Sequence, residues 1–185
     1  IGIVMKISQR LDMISNLVGF QVCWVACVAY GQPWAGLAVA GLLIWHSFVA
    51  DKQEWPLIFL FAAIGIALDN LSYRLGYISF TEHDAVLIPT WLMLLWVAFA
   101  TTLRHSLATL MRYPRVIIPL AMVAAPWSYF MGQHLGVINI TGTGYLLIGL
   151  GWGCLLGLFS WYFFMPRESK KNDIVDSDTT QQTRL

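Results

Sequence analysis

WPLIFLFAAIGIALDNLSYR, residues 55–74, decides the architecture. Its first half, with Leu57, Ile58, Phe59, Leu60 and Phe61, is as apolar as lipid, and its end carries Asp69, Asn70, Ser72, Tyr73 and Arg74. An acid at that depth costs about 2.5–3.5 kcal/mol on insertion scales, so it should face a bundle interior or a water-filled cavity. At helical spacing Asp69 shares a face with Tyr73 and with the small residues Gly65 and Ala62, where a neighbouring helix can come close. Either Asp69 centres a polar site near one membrane surface, or a helix end merely meets the headgroups.

The rest of the chain has the same character. Of 185 residues, 58% are hydrophobic and 11% charged, and the apolar residues fall in long runs, which excludes a soluble domain of this size. Six spans fit, at Leu11–Tyr30, Trp34–Ala50, Trp55–Tyr73, Val86–Leu103, Val116–Met131 and Tyr145–Phe164. Each approaches the ~20 residues that cross the hydrocarbon. The fold expected is an all-α polytopic transmembrane bundle over residues 11–164, after a basic segment at 1–10 and before a disordered cytoplasmic tail at 165–185. Ile1 to Val4 read as upstream sequence before a more natural start at Met5-Lys6. No small-x-small cleavage site follows, so the first run reads as an uncleaved helix.

Lysine and arginine set the orientation. With the N-terminus in the cytoplasm, Lys6, Arg10, Lys52, Arg104, Arg112, Arg115, Arg167, Lys170 and Lys171 lie inside and only Arg74 outside, so both termini are expected in the cytoplasm. Arg104, Arg112 and Arg115 suit anionic headgroups, at about 1 kcal/mol each.

Polar residues within or beside the spans are the candidate site. Asp69, Arg74, Glu82 and His83 gather at the outer surface as acid/base candidates, and Arg74 has carboxylates to pair with. Asn16, Gln21, His46, Asn70, Tyr73 and His134 are candidate substrate contacts. For Asn16 and Gln21 the plainer reading is hydrogen bonding between helices, worth about 0.6 kcal/mol per bond. His46, one turn inside the membrane, is either a proton-handling group or a packing histidine.

Pro126 should kink or break the fifth span, and the apolar stretch from Gln133 to Gly144 suggests a dip into the outer leaflet. Gly149, Gly153 and Gly157 form overlapping GxxxG units, suited to close helix contact within the bundle or between two copies in a homo-oligomer. Trp24-Val25-Ala26 echoes Trp96-Val97-Ala98, too short a match to establish a repeat. Cys23, Cys27 and Cys154 lie in apolar runs with no pairing that completes a zinc site, so neither metal nor other cofactor is expected. No nucleotide-binding or hydrolase motif is present, and the few basic residues sit at membrane edges, which argues against nucleic-acid binding.

The layout Asn16, Phe20-Gln21, Trp24, then Gly65, Asp69, Gly76, then Pro89, Trp91-Leu92, Leu95-Trp96, Phe99 resembles the small bacterial inner-membrane proteins known as domain of unknown function 2878. The resemblance runs from Asn16 to Phe164. It implies a bacterial inner membrane and no established activity. It also implies a lipid-related role by association, since relatives are encoded near enzymes that modify membrane fatty acids. Membrane lipids are therefore the expected partners, with lipid modification or handling ahead of a solute or lipid transporter and of a structural subunit.

Overall fold

The computed structural model describes residues 2–81, 83 and 85–165, with side chains from residue 10 onward. The expected tail lies, beyond Met165, outside the described residues. Helix α1 (Gly2–Val25) continues into a wider turn at Ala26–Tyr30, and α2 spans Trp34–Val49. A short turn at Lys52–Glu54 leads into α3 (Trp55–Arg74), strand β1 (Ile78–Phe80) and α4 (Thr90–Ala100). Then come α5 (Pro114–His134), strand β2 (Ile138–Ile140) and α6 (Gly142–Phe159), which ends in a wide turn at Ser160–Phe164.

Four of these segments are long and apolar enough to cross a membrane: Arg10–Tyr30, Lys52–Arg74, Pro114–His134 and Gly142–Phe164. Their outer faces carry large apolar side chains turned away from the protein, among them Phe59, Val123, Trp127 and Trp161, as a lipid-facing surface requires. Helices α2 and α4 are shorter. At 11 residues, α4 covers only about 17 Å, against roughly 30 Å of hydrocarbon.

Helix α4 can be short because it is the centre of the molecule. Every residue from Trp91 to Leu103 is buried or half-buried, with α1, α2 and α3 packed against it. Beyond Ala100 the chain continues in turns, and non-helical backbone at membrane depth is tolerated where protein covers it. Thr101 and Thr102, both buried, donate their hydroxyls to the carbonyls of Ala98 and Phe99.

Two expectations are corrected. The bundle is not all-α among the described residues: the stretch after α5, for which a dip into the outer leaflet is expected, forms β2, paired antiparallel with β1. Nor does Pro126 break α5, which runs on through both Pro119 and Pro126. Proline at 126 leaves the carbonyl of Met122 without its helical donor. That carbonyl faces the bare Cα of Gly149, where an added Cβ would stand 2.9 Å from it. Gly153 and Gly157 likewise lie against Met122 and Ile118, so the glycine face of α6 is filled by α5 of the same chain.

The strand pair reveals an internal repeat. Leu75-Gly76-Tyr77-Ile78-Ser79-Phe80-Thr81 and Leu135-Gly136-Val137-Ile138-Asn139-Ile140-Thr141 share four identities at a shift of 60 residues. Both glycines close their helices with positive φ, 76° and 77°. The cross-strand bonds are also equivalent, Thr81 N donating to Val137 O and Thr141 N to Tyr77 O. Ser79 pairs with its own counterpart Asn139, and Ile78 with Ile140 mirrors Phe80 with Ile138. That register is a local two-fold, with α3–β1 and α5–β2 as its halves.

Candidate functional site

Asp69 lies on the inner face of α3 and is 4% exposed. Gly65, one turn earlier, gives way to the indole of Trp96: a Cβ there would stand 2.1 Å from that ring. The ring is thereby brought close enough for Nε1 to donate to Asp69 Oδ2 at 2.6 Å. Tyr129 on α5 donates its hydroxyl to the same oxygen, also at 2.6 Å. Hydrogen bonds to such an acid contribute about 1.5–3 kcal/mol each and offset the cost of burying it. Asp69 and Tyr129 are 60 residues apart, the repeat shift, so equivalent positions of the two halves meet here. On the other side Trp96 stacks on Trp152 of α6, with centroids 4.4 Å apart.

Beside this network is a partly open cavity of about 170 Å³, between α1, α4, α5 and α6. Its walls are almost wholly apolar; Phe20, Leu95, Phe99, Ala121 and Leu156 are typical. Leu120 and Ala124 on α5 are exposed and Phe20 and Trp24 on α1 half-buried, which puts the mouth between α1 and α5, on the lipid-facing side. The polar groups in the wall are few. Ser128 Oγ accepts from Trp24 Nε1 at 2.9 Å, so its own proton can be donated elsewhere. Tyr129, having donated to Asp69, presents acceptor lone pairs. Asp69 itself stands behind Trp96 and Tyr129, which line the cavity.

The other sequence candidates do not join Asp69. Arg74 is exposed at the end of α3 and makes no ion pair among the described residues. Glu82 lies outside the described residues. His83 donates Nε2–H to Leu87 O at 2.6 Å, and its ring packs on Tyr73 and Phe80. Tyr73 donates to Ala85 O, while Asn70 bridges Ile66 O and Ile88 N, so both pin the loop before α4. His134 is exposed, beside Phe130, and Gln21 lines a shallow groove outside α1 and α2. Asn16 is fully buried and ties α1 to the turn after α4 through Thr101 Oγ1 (3.1 Å) and Ser106 Oγ (2.8 Å).

His46 belongs to a second cluster, at the bundle end opposite the strands. Glu54, in the turn before α3, and His105, which follows α4, come within reach of it. Sequence reasoning missed both of these residues, and Trp96, Ser128, Tyr129 and Trp152 with them. The one signal available was that a buried acid needs donors, and tryptophan and tyrosine are the donors an apolar bundle can supply.

No curated protein and no solved structure matches the chain. A family model does, over residues 13–158, which is most of the chain. The chain belongs to the family described as Protein of unknown function (DUF2878).

Proposed function

We propose that this is a bacterial inner-membrane protein that takes a lipid-derived molecule from the bilayer into the crevice between α1 and α5, in the service of membrane-lipid handling. The observation that carries the reading is an apolar cavity open toward lipid with a Ser128–Tyr129 polar pair in its wall. A carboxyl group fixes one member of that pair from behind. A cavity near 150 Å³ holds a benzene-sized molecule, so 170 Å³ takes a ring or a short acyl segment, not a whole lipid. The donor from Ser128 and the acceptor at Tyr129 suit a hydroxyl or carbonyl on that segment.

In this reading all six segments span, α4 together with the turns that follow it, and the distribution of lysine and arginine supports both termini in the cytoplasm. A second reading draws on the repeat. Binding sites of many transporters lie where repeats meet, and Asp69 meets Tyr129 there. The apolar lining restricts such a transporter to lipophilic cargo.

Native mass spectrometry of the protein released from membranes tests the proposal. Wild type should retain a lipophile that Ala124→Trp, which fills the mouth, excludes. Wild type without a retained molecule, or an Ala124→Trp variant that keeps it, would overturn the reading. Scrambling of labelled lipid by proteoliposomes, abolished by Ala124→Trp, would favour transport over modification.

A further inference from the structure

His46, Glu54 and His105 come from three separate elements and converge on one point. Glu54 Oε2 lies 3.3 Å from His105 Nε2 and 3.8 Å from His46 Nε2. One ligating atom from each residue lies within 4.8 Å of the others. Ligands held tetrahedrally at 2.0–2.1 Å stand about 3.3 Å apart, so rotations of the side chains suffice to close the set around an ion.

The second observation is independent of that spacing. His46 is 0% exposed, and neither of its ring nitrogens has a hydrogen-bond partner among the described residues. Nε2 of His105 is buried without one as well. Buried polar groups are almost always bonded, and an imidazole left without a donor or acceptor is the side chain most suited to a metal. Among the described residues no lysine or arginine pairs with the carboxylate. The guanidinium of Arg104, next to His105, lies over the Phe164 ring at 5.8 Å, and Lys52 is exposed. Trp55 packs edge-on to His46 and Trp45 to His105, an apolar wall that limits solvent access.

We infer that His46, Glu54 and His105 bind one divalent transition-metal ion of zinc-like ligand preference, at the bundle end that carries the basic residues. Two imidazoles and a carboxylate select such ions over magnesium or calcium, which prefer oxygen. Three protein ligands leave at least one position for water or a substrate atom, as in metal centres that do chemistry. The inference does not depend on the lipid reading, since the cluster and the crevice share no residue.

The test is equilibrium dialysis of the full-length, metal-stripped protein against cobalt(II) with excess magnesium, read by metal analysis and visible absorption. Wild type should take up one cobalt per chain, with ligand-field bands that zinc abolishes by displacement. His46→Gln, His105→Gln and Glu54→Gln should each weaken binding by more than the roughly 10–100-fold that loss of an outer partner costs. Zinc should raise the melting temperature of wild type and not that of Glu54→Gln. Wild type that binds no cobalt, or variants that bind it equally, would overturn the inference. Should the buried His46→Gln fail to fold, Glu54→Gln at the half-buried rim decides the matter alone.

Discussion

Replacing Gly65 by alanine perturbs the whole network through one methyl group. The new Cβ would stand 2.1 Å from Cε3 and 2.3 Å from Cζ3 of Trp96. Carbon atoms pack at about 3.5–4.0 Å, so the ring must retreat by roughly 1.5 Å. It has little room to do so, since Trp152 stacks on it at 4.4 Å and Phe61 lies 6.0 Å away. A retreat of that size also breaks the 2.6 Å bond from Nε1 to Asp69. Overpacking costs about 1–3 kcal/mol and loss of a bond to an acid about 1.5–3, while the gain in helix propensity returns about 1. The net expectation is a loss of about 1.5–5 kcal/mol. Gly41→Ala is the matched control, for a Cβ at Gly41 meets nothing within 4 Å. Reversible unfolding in mixed micelles, followed by tryptophan fluorescence, reads both variants. Equal stability of Gly65→Ala and Gly41→Ala would refute the packing account.

Trp96→Phe and Tyr129→Phe should each cost about 1.5–3 kcal/mol, and the double variant should depart from additivity, since both donors share Asp69 Oδ2; additive losses in the same unfolding assay would count against a shared acceptor. Gly76→Ala and Gly136→Ala should cost similar amounts, about 1–2 kcal/mol each, because both residues hold φ near +76°. A marked asymmetry between them would contradict the repeat. Gly149→Ala should lower the melting temperature in micelles, because the group it meets at 2.9 Å is the Met122 backbone carbonyl, which cannot rotate away as a side chain would.

Much of the bundle was legible because its signals are local. Residues 55–74 show their apolar run, their small face and their buried acid within one helix, and the structure places Gly65 and Asp69 on the inner face. The GxxxG face of α6 was equally readable, since it needs only a neighbouring helix. What the sequence hid was long-range. Asp69 was expected among the charges nearest in sequence, Arg74, Glu82 and His83, whereas Trp96 and Tyr129 from other helices bond it. A tryptophan in an apolar span reads as packing until its N–H is seen to have a partner. The strands escaped because three-residue runs after a helix carry no periodicity, although the twin Leu-Gly-x-Ile sequences at 75 and 135 were there to be aligned. His46 likewise pointed toward chemistry only once Glu54 and His105 stood beside it.

The most direct test of the central claim is an experimental density map of the protein in lipid nanodiscs. The account predicts elongated density entering between α1 and α5 past Ala124, with its polar end within hydrogen-bonding reach of Tyr129 Oη and Ser128 Oγ. A crevice closed by its own side chains, or one occupied by water alone, would contradict it.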